Sequence, residues 1–212
     1  MQQSYRTVKK GLVLEAEFVD RKSRFIAHLT HVESVQETDL FIDQIKRRYH
    51  DARHNVPAWI LASGQKRCSD DGEPQRTAGL PELEVLEGTG LKDVCVVVTR
   101  YFGGTLLGPG GLIRAYTQVT QDVIEEGRRQ EGLVRMDGIV SVALHLTYPF
   151  YDKVLHLVEQ YQGKVSASDF SDVVDLTLVF LEGDEKSFLD EVDELTAKSC
   201  AYQVSEPHFG QF

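Results

Sequence analysis

Runs of apolar residues with two different periods divide the chain into strands and helices. Leu12, Val13, Leu14 and Phe18 precede a turn at Asp20-Arg21-Lys22, and Phe25, Ile26, Ala27 and Leu29 follow it, which predicts a β-hairpin. Ser34 and Glu37 have capping-box spacing, and Phe41, Ile45 and Tyr49 then recur at helical intervals, so a helix ends near His50. Asn55-Val56-Pro57-Ala58-Trp59-Ile60-Leu61-Ala62 predicts a strand with Pro57 at its start or on a sheet edge, because proline has no N–H for the ladder. A polar loop covers residues 63–77, and a short helix runs to about Glu87, with Gly88 and Gly90 ending it. The most continuous apolar run, Val94-Cys95-Val96-Val97-Val98, reads as a central strand. A glycine-rich segment follows, and Leu112, Ala115, Tyr116, Val119 and Val123 then step along one helical face.

Residues 127–138 are charged, glycine-containing and without apolar periodicity. They are expected to be the domain boundary, at residues 1–134 and 135–212, and the first site of limited proteolysis. Beyond it, Val140, Val142, Leu144 and Leu146 alternate, Phe150, Val154, Leu157 and Tyr161 step helically, and residues 164–170 extend. Val174, Leu176, Leu178 and Phe180 alternate again. Asp184 stands where it would cap a helix bearing Phe188, Val192 and Leu195, and residues 200–205 supply a last strand. This βαββαβ order is that of a ferredoxin-like domain, so the chain as a whole is expected to be α+β.

With 212 residues, of which 42% are hydrophobic, each half has enough apolar surface for its own core. No stretch reaches the ~18 apolar residues of a membrane span, and Met1-Gln2-Gln3-Ser4-Tyr5-Arg6 leads into no signal core, so a cytoplasmic protein without a membrane partner is expected. Cys68, Cys95 and Cys200 have neither disulfide nor zinc spacing; Cys95 reads as core, and Cys68 stands in a polar loop with no base indicated to activate it. The net charge of −10 is segregated: residues 1–134 hold 18 Lys/Arg against 19 Asp/Glu, and residues 135–212 hold 5 against 14. An anionic partner is therefore disfavoured by the second half alone.

Three polar clusters in the first half could carry chemistry. His50 and His54 are four apart but lack a third metal ligand, so capping and core hydrogen bonds are the better reading. Asp70, Asp71 and Glu73 are weak candidates for a hydrated Mg²⁺, without the spacing of a calcium loop, and a turn held by Asp side chains explains them equally. The third cluster is Arg100, Tyr101, Phe102, Gly103, Gly104, Gly108, Gly110 and Gly111, with Arg114 just beyond. Glycines between a buried strand and a helix let the backbone approach an anion, and both arginines would add contacts to phosphate. A sharp strand-to-helix turn accounts for the spacing as well, and the segment is neither a Walker loop nor a dinucleotide fingerprint. Tyr101, Phe102 and Tyr116 could stack on bases or belong to the core. No DNA-specific motif is present.

Taken together, Lys22-Ser23-Arg24-Phe25-Ile26, Asp51-Ala52-Arg53-His54, Ser69-Asp70-Asp71-Gly72-Glu73-Pro74 with Thr77-Ala78-Gly79, and Arg100-Tyr101-Phe102-Gly103-Gly104 through Leu107-Gly108 with Gly110-Gly111-Leu112 resemble the ordered motifs of the IMPACT/YigZ family. The resemblance covers about residues 20–120. It implies a first domain of the ribosomal protein S5 domain 2-like fold and a ferredoxin-like second domain similar to domain V of elongation factor G. It also implies a translation-related or RNA-binding role. The eukaryotic relatives act on translation through an additional N-terminal domain, so their kinase regulation is not carried over. Gln75-Arg76 departs from the family's small residue and glycine, Asn55 from a frequent second histidine, and Pro109 from a small residue.

The expectation is a non-enzymatic protein without a cofactor that binds RNA, the ribosome or another nucleotide or phosphate ligand. The expected contacts are Arg24, Arg53, His54, Asp70, Asp71, Glu73, Arg76, Thr77, Arg100, Tyr101, Arg114 and the glycines of the third cluster. The alternative is a metal- or nucleotide-dependent enzyme acting on a small phosphorylated substrate through the same patch; no nucleophile–base pair is visible to support it.

Overall fold

A computed structural model describes residues 4–212 of the chain. Residues 1–3, part of the opening stretch read above for a signal core, lie outside the described residues. The fold is mixed α+β, built on two antiparallel sheets with five helices among the described residues. Contacts divide it into two compact units, Tyr5–Val134 and Arg135–Phe212 with Ser4.

The first unit comprises β1 (Tyr5–Val8), β2 (Val13–Asp20), β3 (Ser23–His31), α1 (Val35–Arg48), β4 (His54–Ile60), β5 (Lys66–Cys68), α2 (Gly79–Thr89), β6 (Val94–Tyr101) and α3 (Gly108–Arg129). Its main sheet has the order β2-β3-β6-β4-β5, which puts the apolar run of β6 at the centre. Val94, Val96 and Val98 face α2 and α3, and Cys95 and Val97 face α1, so this strand is buried on both sides. The predicted hairpin forms with Asp20 opposite Ser23, and Arg21 and Lys22 both take positive φ, as a two-residue type I′ turn requires. Ser34 caps α1 by accepting the Glu37 N–H at 3.2 Å.

Pro57 is neither at the start of its strand nor on an edge. It sits inside β4, opposite Val97 of β6. Its carbonyl points the other way and accepts the Ser69 N–H at 3.1 Å. In an antiparallel ladder the N–H and C=O of a residue share one side, so the missing donor faces the end of short β5 and costs no bond to β6. The polar loop of residues 63–77 contains β5, whose three residues carry no apolar alternation. Gly88 lies within α2, and Gly90, at φ 70°, ends it.

The second unit contains most of β7 (Leu133–Leu146), then α4 (Tyr148–Gln160), β8 (Lys164–Phe170), β9 (Val174–Leu181), α5 (Glu185–Leu195), β10 (Ala201–Val204) and β11 (His208–Gly210). Strand β7 pairs with β9 on one side and with β10 and then β11 on the other, and β9 pairs with β8, all antiparallel. The alternating residues of β7 and β9 face Val154, Val158, Phe188 and Val192 of the two helices. The expected linker is absent: α3 ends at Arg129, a short turn follows, and β7 starts at Leu133, so the division between units falls inside a strand. Within the stretch expected to be cleaved first, residues 137–138 are paired with β11, whereas the helix end and turn at residues 128–131 are exposed. Asp184 makes no side-chain cap to α5; Glu185 instead accepts the Gly183 N–H at 2.7 Å. No helix among the described residues is long and apolar enough to cross a membrane.

Candidate functional site

The loop between β5 and α2 is organised by two aspartates. Asp70 accepts the backbone N–H of Arg76 at 2.7 Å, Ala78 at 3.1 Å and Gly79 at 3.0 Å. The last two belong to the start of α2, so this helix is capped from eight and nine residues away rather than by a neighbour. A Cβ on Gly79 would stand 2.5 Å from the Ser69 carbonyl oxygen, which only glycine avoids. Asp71 accepts the Asn55 N–H at 2.7 Å and Lys46 Nζ at 2.9 Å. Its carbonyl lies 2.8 Å from His54 Nδ1; a carbonyl only accepts, so the His54 proton is on Nδ1. Thr77 is buried and donates its hydroxyl to the Pro74 carbonyl at 2.7 Å.

Glu73, from the same loop, turns inward. Arg100 Nη1 donates to both its oxygens, at 2.6 and 2.9 Å, and the Tyr116 hydroxyl donates to Oε1 at 2.8 Å. Burial first, then the Glu73 charge, pushes the Tyr116 phenol well above its ordinary range, so it remains a donor. The Arg100 guanidinium carbon is 5.4 Å from the Phe25 ring centre and 5.9 Å from that of Phe102, and its Nε makes no hydrogen bond. His54 Nε2 lies 4.0 Å from Glu73 Oε2.

These residues surround a cavity of about 350 Å³ formed by the start of β4, the 72–74 loop, the end of β6 and the entry into α3. Arg53, His54, Glu73 and Arg100 are its polar lining, and Phe102, Leu106, Leu107 and Pro109 make it apolar toward the mouth. Helix α3 begins at Gly108 with Pro109 in its first turn, and it has neither a side-chain cap nor an acidic residue there. Its first amides are thus left to solvent or an anion.

Members of all three predicted clusters meet here, though with different roles from those expected. Arg53, His54, Glu73, Arg100 and Gly108 line the cavity. Asp70 and Asp71 hold the loop, and Glu73 holds Arg100, so the three carboxylates turn to separate partners; among the described residues no three His, Cys, Asp or Glu side chains are grouped to bind a metal. His50 and His54 do not share a helix, since α1 ends before both. Gly103 is a packing residue, its Cβ position being 2.0 Å from the Lys22 carbonyl carbon. Gly104 and Gly108 have φ of 84° and 71°, and Gly111 lies against Leu107. Arg24 pairs with Glu17 at 2.8 Å, and Tyr101 donates to Asp51 at 2.7 Å, both away from the cavity lining. Arg76 and Arg114 are exposed and do not line it either.

Of the three aromatics, Tyr116 is core and Phe102 is 54% exposed. Burial raises the Cys68 thiol pKa, with Asp70 and Glu87 adding to the effect, so it stays protonated. Sequence reasoning missed the leucines. Leu106 is 81% exposed, and two consecutive leucines amid glycines were the available signal. The second unit has a hollow of about 680 Å³ lined by Asp152, Lys153, His156, Glu191 and Glu194 among others, where three carboxylates against one lysine disfavour anions.

The pattern of the Impact N-terminal domain matches residues 21–124, which include every residue lining the β4–α3 cavity. A domain of unknown function, DUF1949, matches residues 144–197. IMPACT family member YvyE of Bacillus subtilis is 38% identical over 198 residues, 92% of this chain and 88% of that protein. Protein IMPACT of Xenopus laevis is 35% identical over 97 residues, 42% of this chain and 30% of that protein. A solved structure described as "Crystal structure of an hypothetical protein" has a TM-score of 0.64 and 29% identity, covering 97% of this chain and 99% of its own.

Proposed function

The chain belongs to the IMPACT family, and from that premise we propose that it is a cytoplasmic, non-enzymatic protein that binds RNA or ribosomal phosphate in a translation-related role. One observation carries the reading: Arg53, which has no ion pair or hydrogen bond among the described residues, the buried Arg100 and the uncapped start of α3 converge on a single cavity within the matched domain. Phosphate is the ligand that suits free backbone amides and guanidinium together. Arg53 is the contact to test, because Arg100 also holds Glu73 and its loss would disturb the core. The carboxylates an enzymatic reading needs are committed to holding the loop and Arg100, so no observation favours that alternative.

The same premise supports reading residues 1–134 as an S5 domain 2-like IMPACT domain and residues 135–212 as a ferredoxin-like domain similar to domain V of elongation factor G. The spatial order β10-β7-β9-β8 with two helices on one face supports the latter.

The test is native purification of the full chain at low salt, with identification of co-purifying RNA, nucleotide or ribosomal material, repeated with Arg53→Ala. RNA carried by the natural chain and lost from the variant supports the reading. A chain that carries no RNA and binds none when RNA is added overturns it.

A further inference from the structure

The cavity before α3 has a buried floor and an exposed rim. Arg100 and Glu73 form the floor, and Phe102 and Leu106 stand at the rim. The floor is not acidic despite Glu73, because Arg100 bonds both of its oxygens and Tyr116 bonds one of them, so the pair is neutral as a unit. Arg100 retains unused donor capacity: its side chain is 8% exposed and its Nε has no partner.

Two sources of positive potential remain. Arg53 lines the cavity without an ion pair or hydrogen bond among the described residues. The first turn of α3 carries about half a positive charge with no carboxylate to offset it. Their sum, roughly one and a half charges, suits a phosphate monoester at about −1.5 to −2 better than a phosphodiester at about −1.

Shape points the same way. An internal phosphate of a nucleic-acid strand has a sugar on each side and needs an open groove, whereas a terminal phosphate can enter a cavity with a buried floor. The size of about 350 Å³ is in the range for a small ligand. Phe102 offers a ring that is 54% exposed and lines the same cavity as Arg53 and Gly108, so a base stacked on it would share that cavity with the phosphate. Gly108, the first residue of α3, lines the cavity, and a Cβ there would meet nothing within 4 Å, so the start of the helix is open on that side.

The geometry points to a site for a nucleoside phosphate with a free terminal phosphate monoester, bound with that phosphate against Arg53 and the start of α3 and its base against Phe102. This rests on the RNA-binding reading for one of its two sources, the end of an RNA strand; the other is a free mononucleotide.

The experiment measures binding by the full chain of short RNAs of one sequence that end in a 5′-phosphate, a 3′-phosphate or hydroxyls only, and of AMP and UMP. Two variants accompany it. Arg53→Ala removes the unpaired cation, and Gly110→Glu places a carboxylate in the first helical turn, where an acid favours folding. Circular dichroism and thermal melting check that both fold.

At least one phosphate-ended RNA is expected to bind about tenfold more tightly than the hydroxyl-ended one, and both variants are expected to erase that difference. Equal affinity for all three RNAs in the natural chain overturns the terminal-phosphate site, while leaving RNA binding itself intact. Mononucleotide binding lost in both variants, with no RNA bound, supports the site with a free nucleotide as its source and overturns the RNA reading. Absence of binding to every probe overturns both.

Discussion

Arg100 and Glu73 form an ion pair almost withdrawn from water: Nη1 stands 2.6 Å from Oε1, and the two side chains are 8% and 3% exposed. The pair ties the end of the central strand to the loop that follows β5, and Tyr116 of α3 bonds the same carboxylate. It therefore joins three elements that line the candidate site. A pair so placed shapes the cavity more than it charges it.

Removing one partner leaves the other buried and uncompensated. Arg100→Ala and Glu73→Ala are each expected to lower unfolding free energy by about 3–5 kcal/mol, measured by urea denaturation. The double variant Arg100→Ala with Glu73→Ala is expected to lose less than the sum of the two single losses. Additive losses would show that the two side chains do not act as a unit.

Arg76 has φ 63°, in the left-handed region that glycine adopts without strain. A side chain in this left-handed region costs about 1–2 kcal/mol, partly offset by the greater freedom of glycine in the unfolded chain. Arg76→Gly is thus expected to stabilise the protein by up to about 1 kcal/mol. Since Arg76 does not line the cavity, RNA affinity is expected to change far less than for Arg53→Ala. An equal loss would bring Arg76 into the site.

Glu82 lies in the first turn of α2, fully buried, and neither carboxylate oxygen has a hydrogen bond. Burial first, then Cys68 and Asp70, pushes its pKa well above the ordinary carboxylate range, so it is protonated in the fold. In the unfolded chain it ionises near pH 4.3. Stability from this group is fully present below that pH and falls as pH rises toward the folded pKa, by about 1.4 kcal/mol per unit. Glu82→Gln is expected to remove this loss, so its advantage over the natural chain in urea denaturation should grow as pH rises above the unfolded value, by up to about 1.4 kcal/mol per unit. Parallel pH profiles would show that Glu82 is ionised in the fold.

Two glycines of one segment should respond oppositely. At Gly103 a Cβ would fall 2.0 Å from Lys22 backbone, whereas at Gly110 it would meet nothing within 4 Å. Gly103→Ala is expected to destabilise by more than about 3 kcal/mol, and Gly110→Ala to be neutral or to stabilise by up to about 1 kcal/mol through helix propensity. Thermal melting decides it; similar changes at both sites would mean the segment packs differently.

The sequence was most legible where local chemistry and burial agree. Val94 to Val98 read as the central strand because a strand buried on both faces needs apolar residues throughout, and Ser34 capped its helix as its spacing implies. Legibility failed where a partner is distant. Asp70 looked like a ligand residue because nothing local reveals that it caps α2, and the role of Glu73 depends on Arg100, 27 residues away. Residues 127–138 lacked apolar periodicity because they combine a helix end, a turn and the start of a long strand, each with a different period. The cavity combines side chains from residue 53 to residue 112, so only the family resemblance could assemble it beforehand.

RNA binding by the full chain across a salt series tests the central claim most directly, because each phosphate a cation neutralises contributes about 0.7 to the slope of log affinity against log salt for single strands. The natural chain is expected to bind with a steep negative slope, and Arg53→Ala to bind more weakly with a slope reduced by about 0.7. An RNA interaction that is absent at low salt, or indifferent to salt, would contradict the account.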